Sequence, residues 1–234
     1  MNTTMQYVGQ HPRKRNQCNP ALKLWWEMCY QNMRVQVEKG PLIENYLATL
    51  LRVMEYARQE CPRIFAVRID LRFPAQGYIS NTIHDNSCTR NFINYLQWEL
   101  DVAGIKYPHK MRYVWCREQA NSINPHYHVL LLLNGDAYRA LGSFNNSTGG
   151  SFERDNLFHR IVRAWSSAID WPIENMGGRV NVATDHMTKK PYLWHFNEND
   201  QAAFAEVFYG ASYMCKEYSK PIGQGIHCFE GSRR

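Results

Sequence analysis

The sequence predicts an α+β fold in which helices flank a central, mostly antiparallel sheet. Residues 111–118 and 126–134 are rich in aliphatic, β-branched and aromatic residues, and the seven residues between them suit a hairpin loop. At least five other segments repeat apolar residues every three or four positions, as amphipathic helices do. A hairpin combined with several separate helices is typical of the α+β class.

The composition indicates a globular protein that would tolerate a polyanionic partner. The 234 residues are 44% hydrophobic and carry a formal net charge of +6. Seven cysteines without repeated C-x-x-C pairs indicate a reducing compartment rather than a disulfide scaffold. Apolar runs fall short of the roughly 18 residues that a membrane span needs, and the N-terminus has no apolar signal core. We therefore expect a cytoplasmic protein without a membrane partner.

The first sixty residues (1–60) are expected to form a tail and a helical extension, and residues 61–234 the main domain. The chain begins with a polar, partly basic tail. From Pro20 apolar residues recur at mixed three- and four-residue spacings, which predicts a helix to about Met33. A second helix is predicted from Gly40-Pro41 to about Glu60, before the next proline.

The remaining elements follow in order. The hairpin is accompanied by a predicted strand at 64–73, helices at 89–102, 136–141 and 153–169, a strand at 177–182, a helix at 200–220 and polar loops at 77–86 and 142–150. Charged residues alternate with apolar ones in the first of these strands, so one face is polar. On that face we expect Asp70 to pair with Arg68 or Arg72. The alternative is that Asp70 assists a metal site from a neighbouring strand.

A histidine pair begins the second hairpin strand. His126 and His128 lie two residues apart, so both imidazoles point to the same side of a strand, about 6–7 Å from each other. Such a pair can hold one divalent metal, although His-x-His also occurs on half-exposed strands without metal. If the hairpin has no bulge, Glu118 falls opposite His128 as a third ligand. The alternative for Glu118 is a solvated charge at the strand end.

The last predicted helix carries a tyrosine with two lysines. With Asp200 as its N-cap, this helix would place Tyr213, Lys216 and Lys220 within about 60° of one another. Positive charges beside a phenol favour the phenolate and stabilise charge that develops on a phosphate. This face therefore suits attack on a phosphodiester.

Two other tyrosines compete with Tyr213 for the role of nucleophile. Tyr209 lies one helical turn earlier on the same face, but it belongs to an apolar run that suits the core. Tyr218 lies about 140° around the helix. We expect Tyr213 to be the nucleophile.

The order of these motifs resembles the HUH endonucleases, most closely the replication initiators of rolling-circle phages and plasmids. The shared pieces are an acidic residue, a short loop, Pro125-His-Tyr-His-Val-Leu-Leu131 and a late Tyr-x-x-Lys. The segments Arg68-Ile-Asp-Leu-Arg-Phe-Pro74 and Ser212-Tyr-Met-Cys-Lys216 resemble the inovirus replication-protein family with a YagK/YfjJ-type domain. The resemblance runs from about Arg63 to the C-terminus. The histidines precede the tyrosine, as in replication-type HUH enzymes.

The resemblance implies a ferredoxin-like sheet and a site-specific single-stranded DNA endonuclease and strand transferase that initiates rolling-circle replication. Mg²⁺ or Mn²⁺ would be held by Glu118, His126 and His128. Tyr213 would attack the DNA, leaving a 5′-phosphotyrosine link and a free 3′-OH, and Lys216 would orient the phosphate. The implied partners are single-stranded DNA or origin hairpin DNA, together with a host helicase and polymerase.

Two other functions share parts of this pattern. Two histidines and a carboxylate also describe a non-haem Fe(II) oxygenase, although that site belongs to a double-sheet jelly roll. A non-catalytic single-strand binder would need only basic and aromatic residues, as in the segment from His186 to His195. An ordinary strand-and-loop surface accounts for that segment equally well.

Overall fold

The computed structural model describes residues 12–75, 83–108, 110–119, 124–145 and 150–234. The described residues exclude more than half of the expected tail. They also exclude more than half of the loop predicted at 77–86 and the middle of the loop predicted at 142–150. The described part contains four α-helices and ten strands. They are β1 (Leu24–Trp25), β2 (Cys29–Tyr30), β3 (Met33–Arg34), β4 (Leu42–Ile43), α1 (Glu44–Glu60), β5 (Arg63–Arg72), α2 (Ser87–Asp101), β6 (Arg112–Glu118), β7 (His126–Asn134), α3 (Leu157–Ile169), β8 (Val180–Val182), β9 (Leu193–Asn197), α4 (Gln201–Ser212) and β10 (Phe229–Gly231).

Six strands form one antiparallel sheet in the order β10-β6-β7-β5-β8, with β9 also paired to β5. β9 pairs with residues 63–67 of β5 and β8 with residues 69–71, so these short strands follow one another along the same edge. The central strands β5 and β7 are almost entirely buried, as strands covered on both faces are. The predicted α+β class with an antiparallel sheet is confirmed. The ferredoxin-like form stays a prediction.

Helices cover both faces of the sheet, and successive side chains of each strand point to opposite faces. On one face, Val67 and Leu131 belong to a core shared with α2 and α3. On the other, Ala66 and Leu130 pack with α1 and α4. α4 therefore lies on the same face as α1 and on the opposite face from α2 and α3. His128 precedes Leu130 by two residues and so points to the face that carries α4.

Most elements beyond residue 40 lie close to their predicted positions. β5 begins one residue and α2 two residues before the predicted start. α3 begins four residues later than predicted because the side chain of Asn156 accepts a hydrogen bond from the backbone N–H of His159 and so caps the helix there. Asp200 caps α4 as predicted, by accepting from the N–H of Ala203.

The predicted helix between Pro20 and Met33 is wrong. This segment forms short strands: β1 pairs with β4, and β2 with β3. Gln31 and Asn32 have φ of 50° and 62°, which suits the tight turn between β2 and β3 and cannot continue a helix. The second predicted helix is confirmed as α1, and it packs on the sheet through side chains such as Leu47. The division of the chain at residue 60 stays a prediction.

One further helix prediction is wrong, and another is confirmed only for its first part. Residues 135–137 form a turn, in which the Asn134 side chain accepts from the N–H of Asp136, as Asn does in turns. α4 ends at Ser212, not Lys220, and a single 3₁₀ turn follows at Tyr213–Cys215. Lys216 then has an extended backbone and bridges to Leu42 in the N-terminal segment, and a bend and turn follow at residues 217–219. This tertiary pairing overrides local helix propensity.

Gly210→Ala is expected to destabilise the protein. In an open helix this change stabilises by about 1 kcal/mol, but here a Cβ would lie 2.5 Å from Cζ2 of Trp194. Overpacking of this kind costs about 1–3 kcal/mol, so urea denaturation should show a lower free energy of unfolding. Gly177→Ala is the control, because nothing lies within 4 Å of a Cβ built there. A Gly210→Ala protein as stable as the wild type would contradict this packing.

Candidate metal centre and the tyrosine beside it

The register of the β6–β7 hairpin brings three potential metal ligands to one face. Glu118 lies opposite His126, and Cys116 lies opposite His128. The predicted pairing of Glu118 with His128 is therefore wrong by two residues. An even shift preserves the face to which a side chain points, so Glu118 still lies on the histidine side.

The donor atoms of these three residues converge. Oε2 of Glu118 lies 3.4 Å from Nε2 of His128 and 3.8 Å from Nε2 of His126. One donor atom from each residue falls within 4.8 Å of the others. Glu118 and His128 are buried, whereas His126 is partly open to solvent. The structure thus brings together the three predicted ligands, with an accessible side at His126.

Asp70 fixes the orientation of His128 from the neighbouring strand. The two residues are directly opposite in the β5–β7 register, and Oδ1 of Asp70 lies 2.5 Å from Nδ1 of His128. The expected ion pair of Asp70 with a neighbouring arginine is replaced by this contact. A carboxylate on Nδ1 holds a proton there and turns Nε2 toward Glu118, as outer carboxylates do for metal-binding histidines.

Burial and neighbouring charges set the ionisation of the site. Burial, aided by the nearby His128, lowers the pKa of His126 to about 4, so this imidazole is neutral near pH 7. Burial also opposes charging of His128, but its bonds to Asp70 and Glu118 raise its pKa overall. Burial would raise the pKa of Glu118, but the His128 bond and the Lys220 charge outweigh it and hold that pKa well below its usual range. A cation bound at Nε2 of His128 would replace a proton.

Three residues from the C-terminal segment also bind the Glu118 carboxylate. Nζ of Lys216 lies 3.0 Å from Oε2, Oγ of Ser219 donates to Oε2 at 2.8 Å, and Nζ of Lys220 donates to Oε1 at 3.2 Å. The two ammonium groups balance the carboxylates of Glu118 and Asp70. The cluster therefore carries no excess of negative charge. Binding of a metal together with an anion would be favoured over binding of the metal alone.

The 3₁₀ turn after α4 places Tyr213 against the metal centre. Its ring centroid lies 6.0 Å from that of His128, with the rings nearly perpendicular. Nζ of Lys216 lies 3.5 Å from the Tyr213 ring centroid, and the guanidinium carbon of Arg68 lies 5.2 Å from it. Tyr213 and Lys216 therefore lie together as predicted, but a turn brings them together and not one face of a helix.

The two competing tyrosines have other neighbours, although the ring centroid of Tyr218 lies 6.0 Å from Nζ of Lys216. Tyr209 is half-buried beside Arg34, whose guanidinium carbon lies 5.4 Å from its ring centroid. Tyr218 is 58% exposed. Of the three candidates, only Tyr213 has a ring contact with a histidine of the site among the described residues.

Sequence reasoning did not identify Arg68 or Ser219 as parts of this site. Arg68 is buried, and its Nη1 donates to the backbone carbonyl of Gly210 at 2.7 Å, which ties β5 to α4. The alternation of charges in β5 placed Arg68 and Asp70 on one face. It could not reveal which strand and helix would cover that face.

Comparison with known proteins places the chain in a family. A model of the YagK/YfjJ C-terminal domain matches residues 27–232. The chain belongs to the YagK/YfjJ C-terminal domain family. The match begins before α1, whereas the resemblance of the motifs begins only at about Arg63.

Two proteins of Escherichia coli K12 are similar to this YagK/YfjJ-family chain. The uncharacterized protein YfjJ is 32% identical over 123 residues, which is 53% of this chain and 55% of YfjJ. The uncharacterized protein YagK is 26% identical over 208 residues, which is 81% of this chain and 93% of YagK. The chain thus spans about half the length of YfjJ. No solved structure matches it. Among the described helices, none has the length and apolar character needed to cross a membrane.

Asp70→Asn is expected to weaken Mn²⁺ binding about 10–100-fold, because an amide no longer stabilises the Nδ1–H of His128. Isothermal titration calorimetry measures this affinity, and His126→Ala should reduce it further. Glu118 is a poor choice for mutation, since its loss would leave Lys220 buried without its carboxylate. His186→Ala, at an exposed turn, is the matched control. Unchanged affinity in both Asp70→Asn and His126→Ala would contradict the metal centre.

Proposed function

We propose that this YagK/YfjJ-family protein is a metal-dependent endonuclease and strand transferase of the HUH replication type, acting on single-stranded DNA. One observation carries the proposal: the Tyr213 ring lies against His128, although 85 residues separate them in the chain. A phenol beside paired imidazoles and a carboxylate suits metal-assisted transfer of a phosphodiester to tyrosine. The motif order of the sequence supports the initiation of rolling-circle replication as the biological role.

The donor set suits Mg²⁺ or Mn²⁺ held by Glu118, His126 and His128. Two imidazole nitrogens and a carboxylate oxygen leave other coordination positions for water and substrate, and Asp70 orients one of the imidazoles. When bound, the metal would neutralise the non-bridging oxygens of the scissile phosphate and make phosphorus more electrophilic. Imidazole ligands are better suited to Mn²⁺ than to Mg²⁺, which prefers oxygen.

The covalent step uses the chain's own residues. The Tyr213 oxygen forms a bond to phosphorus as the bond from phosphorus to the 3′ oxygen breaks. The phenolic proton is lost, the departing 3′ oxygen gains a proton, and the 5′ phosphate stays on Tyr213. Lys216, 3.5 Å from the ring centroid, would stabilise the negative charge that develops on the phosphate during the attack. Attack by the free 3′-OH reverses the step, which allows the strand to be rejoined without ATP.

The same three ligands would also suit an Fe(II) oxygenase, but the surroundings favour phosphoryl transfer. The ligands lie on one sheet flanked by helices, whereas the oxygenase site belongs between the two sheets of a jelly roll. A phenol and a lysine ammonium beside the ligands have a clear role with a phosphodiester and none in oxygen activation. A non-catalytic binder would not need Asp70 to orient His128.

Tyr213→Phe is expected to abolish covalent protein–DNA adducts while single-stranded DNA binding is retained. Labelled single strands from the protein's own genomic neighbourhood are incubated with Mn²⁺ or EDTA, and adducts are read as slower bands on denaturing gels. Tyr218→Phe is the control, since that side chain is exposed, and it should form adducts as the wild type does. Adducts that persist in Tyr213→Phe would move the nucleophile to Tyr209 or Tyr218. Adducts formed equally in EDTA would contradict the metal requirement.

Lys216→Met is expected to change metal binding and catalysis in opposite directions. Removing an ammonium 3.0 Å from Oε2 of Glu118 takes away a positive charge that competes with a cation for this oxygen, so Mn²⁺ affinity without DNA should rise about tenfold. Adduct formation should fall about 10²-fold or more, because a charge beside the phosphate is lost.

Calorimetry and single-turnover adduct assays separate these two effects. Lys106→Met, at an exposed site, is the matched control and should change neither quantity. Parallel losses of metal affinity and adduct rate would mean that Lys216 serves the fold rather than the reaction.

A further inference from the structure

A cavity lined by aromatic side chains lies close to the candidate site. It has a volume of about 580 Å³ and is bordered by β9, one side of α4 and the turn that precedes β9. Tyr192, Trp194 and Tyr209 supply its rings, and Arg34 and Lys190 supply positive charge. All of the lining residues belong to the described part of the chain.

The rings of this cavity are held in place by the surrounding structure. Tyr192 and Trp194 are stacked, with centroids 5.3 Å apart and planes 27° from parallel. The hydroxyl of Tyr192 donates to Oδ2 of Asp185 at 3.0 Å. The six-membered edge of Trp194 packs directly on the backbone of Gly210. A flat ligand would therefore meet a preformed surface and would not have to order it, which favours binding.

Arg68 connects this cavity to the proposed nucleophile. Its guanidinium carbon lies 4.2 Å from the Tyr192 ring centroid and 5.2 Å from that of Tyr213. One guanidinium group thus separates the wall of the cavity from the catalytic phenol. Its Nε is buried without a hydrogen-bond partner among the described residues, so the group keeps an unused donor. A polymer held at Tyr213 would have its neighbouring unit within reach of Tyr192.

The charges around the cavity indicate which part of a polymer would enter it. Arg34 and Lys190 are balanced by Asp185 and Glu206, which also line it. The lining therefore carries no net positive charge that would attract a phosphate, whereas a neutral, flat ring does not need one. Aromatic faces with balanced charges fit a nucleobase better than a backbone phosphate.

We propose that the cavity lined by Tyr192, Trp194 and Tyr209 binds a base of single-stranded DNA next to the phosphate attacked by Tyr213. The assignment rests on the proposed function for its position relative to Tyr213. The stacking itself requires only the cavity. Each stacked base contributes about 1–3 kcal/mol by alanine substitution in single-strand binders, and about 1.4 kcal/mol is a tenfold change in affinity.

The test uses Trp194 fluorescence in the full-length protein. A mixed-sequence single-stranded 12-mer and an abasic 12-mer with the same number of phosphates are titrated separately. The quenching that is lost in Trp194→Phe is due to Trp194 and reports on the cavity. We expect the 12-mer with bases to cause this Trp194-dependent quenching and the abasic 12-mer not to cause it. Equal Trp194-dependent quenching by both would overturn the proposal.

Variants of the other two rings give a second measurement. Tyr192→Leu and Tyr209→Leu should each weaken binding of the normal 12-mer about tenfold, with little change for the abasic one. Tyr95→Leu is the matched control, because this exposed tyrosine lies on α2, across the sheet. Thermal unfolding checks that each variant is folded. Loss of affinity for both oligonucleotides alike, or for neither, would contradict base stacking here.

Two further outcomes separate this proposal from the nuclease assignment. Base-dependent quenching by a protein that forms no Tyr213 adduct would retain the base site and reject the nuclease. Adducts without base-dependent quenching would do the reverse. A mononucleotide that quenches Trp194 more strongly than the 12-mer at equal concentration would assign the cavity to a free nucleotide and overturn the proposal.

Discussion

The buried carboxylate of Glu118 is the contact on which the candidate site depends. It ends β6 and receives Lys216, Ser219 and Lys220 from the segment that follows α4. Lys220 has a side chain with no exposed surface, and breaking a buried pair of this kind costs about 3–5 kcal/mol. Because Tyr213 lies only three residues before Lys216, the same contact also holds the phenol against His128. One carboxylate therefore serves both the fold and the proposed chemistry.

A bound metal and Lys216 would compete for the same oxygen of Glu118. Oε2 of Glu118 faces both imidazoles and also accepts from the Lys216 ammonium. An ammonium is a flexible point charge on a long stem and can turn toward another anion. A phosphate arriving between the two would give Lys216 a new partner and free the carboxylate for the metal. Binding of metal and DNA would then be mutually reinforcing.

Local sequence patterns were sufficient for the hairpin and not for its surroundings. The two-residue period of a strand placed His126, His128 and Glu118 on one face, and that result survived a register error because the error was even. The contact of Asp70 with His128 depends on the β5–β7 pairing, which joins residues 58 apart. Likewise, the end of α4 is set by the bridge of Lys216 to Leu42. Neither long-range pairing leaves a signal in local periodicity.

Polar residues form a row along one face of β5, and the two ends of this row differ in character. Arg68, Asp70 and Arg72 point to one face at intervals of about 6.7 Å, so the row is about 13 Å long. At the Arg72 end, a cavity of about 410 Å³ lies beside His126 and includes Arg179. At the Arg68 end lies the wall of Tyr192. Cations at one end suit backbone phosphate and rings at the other suit bases, so a bound single strand would have phosphate near Arg72 and His126 and a base near Tyr192, with His128 and Tyr213 between them.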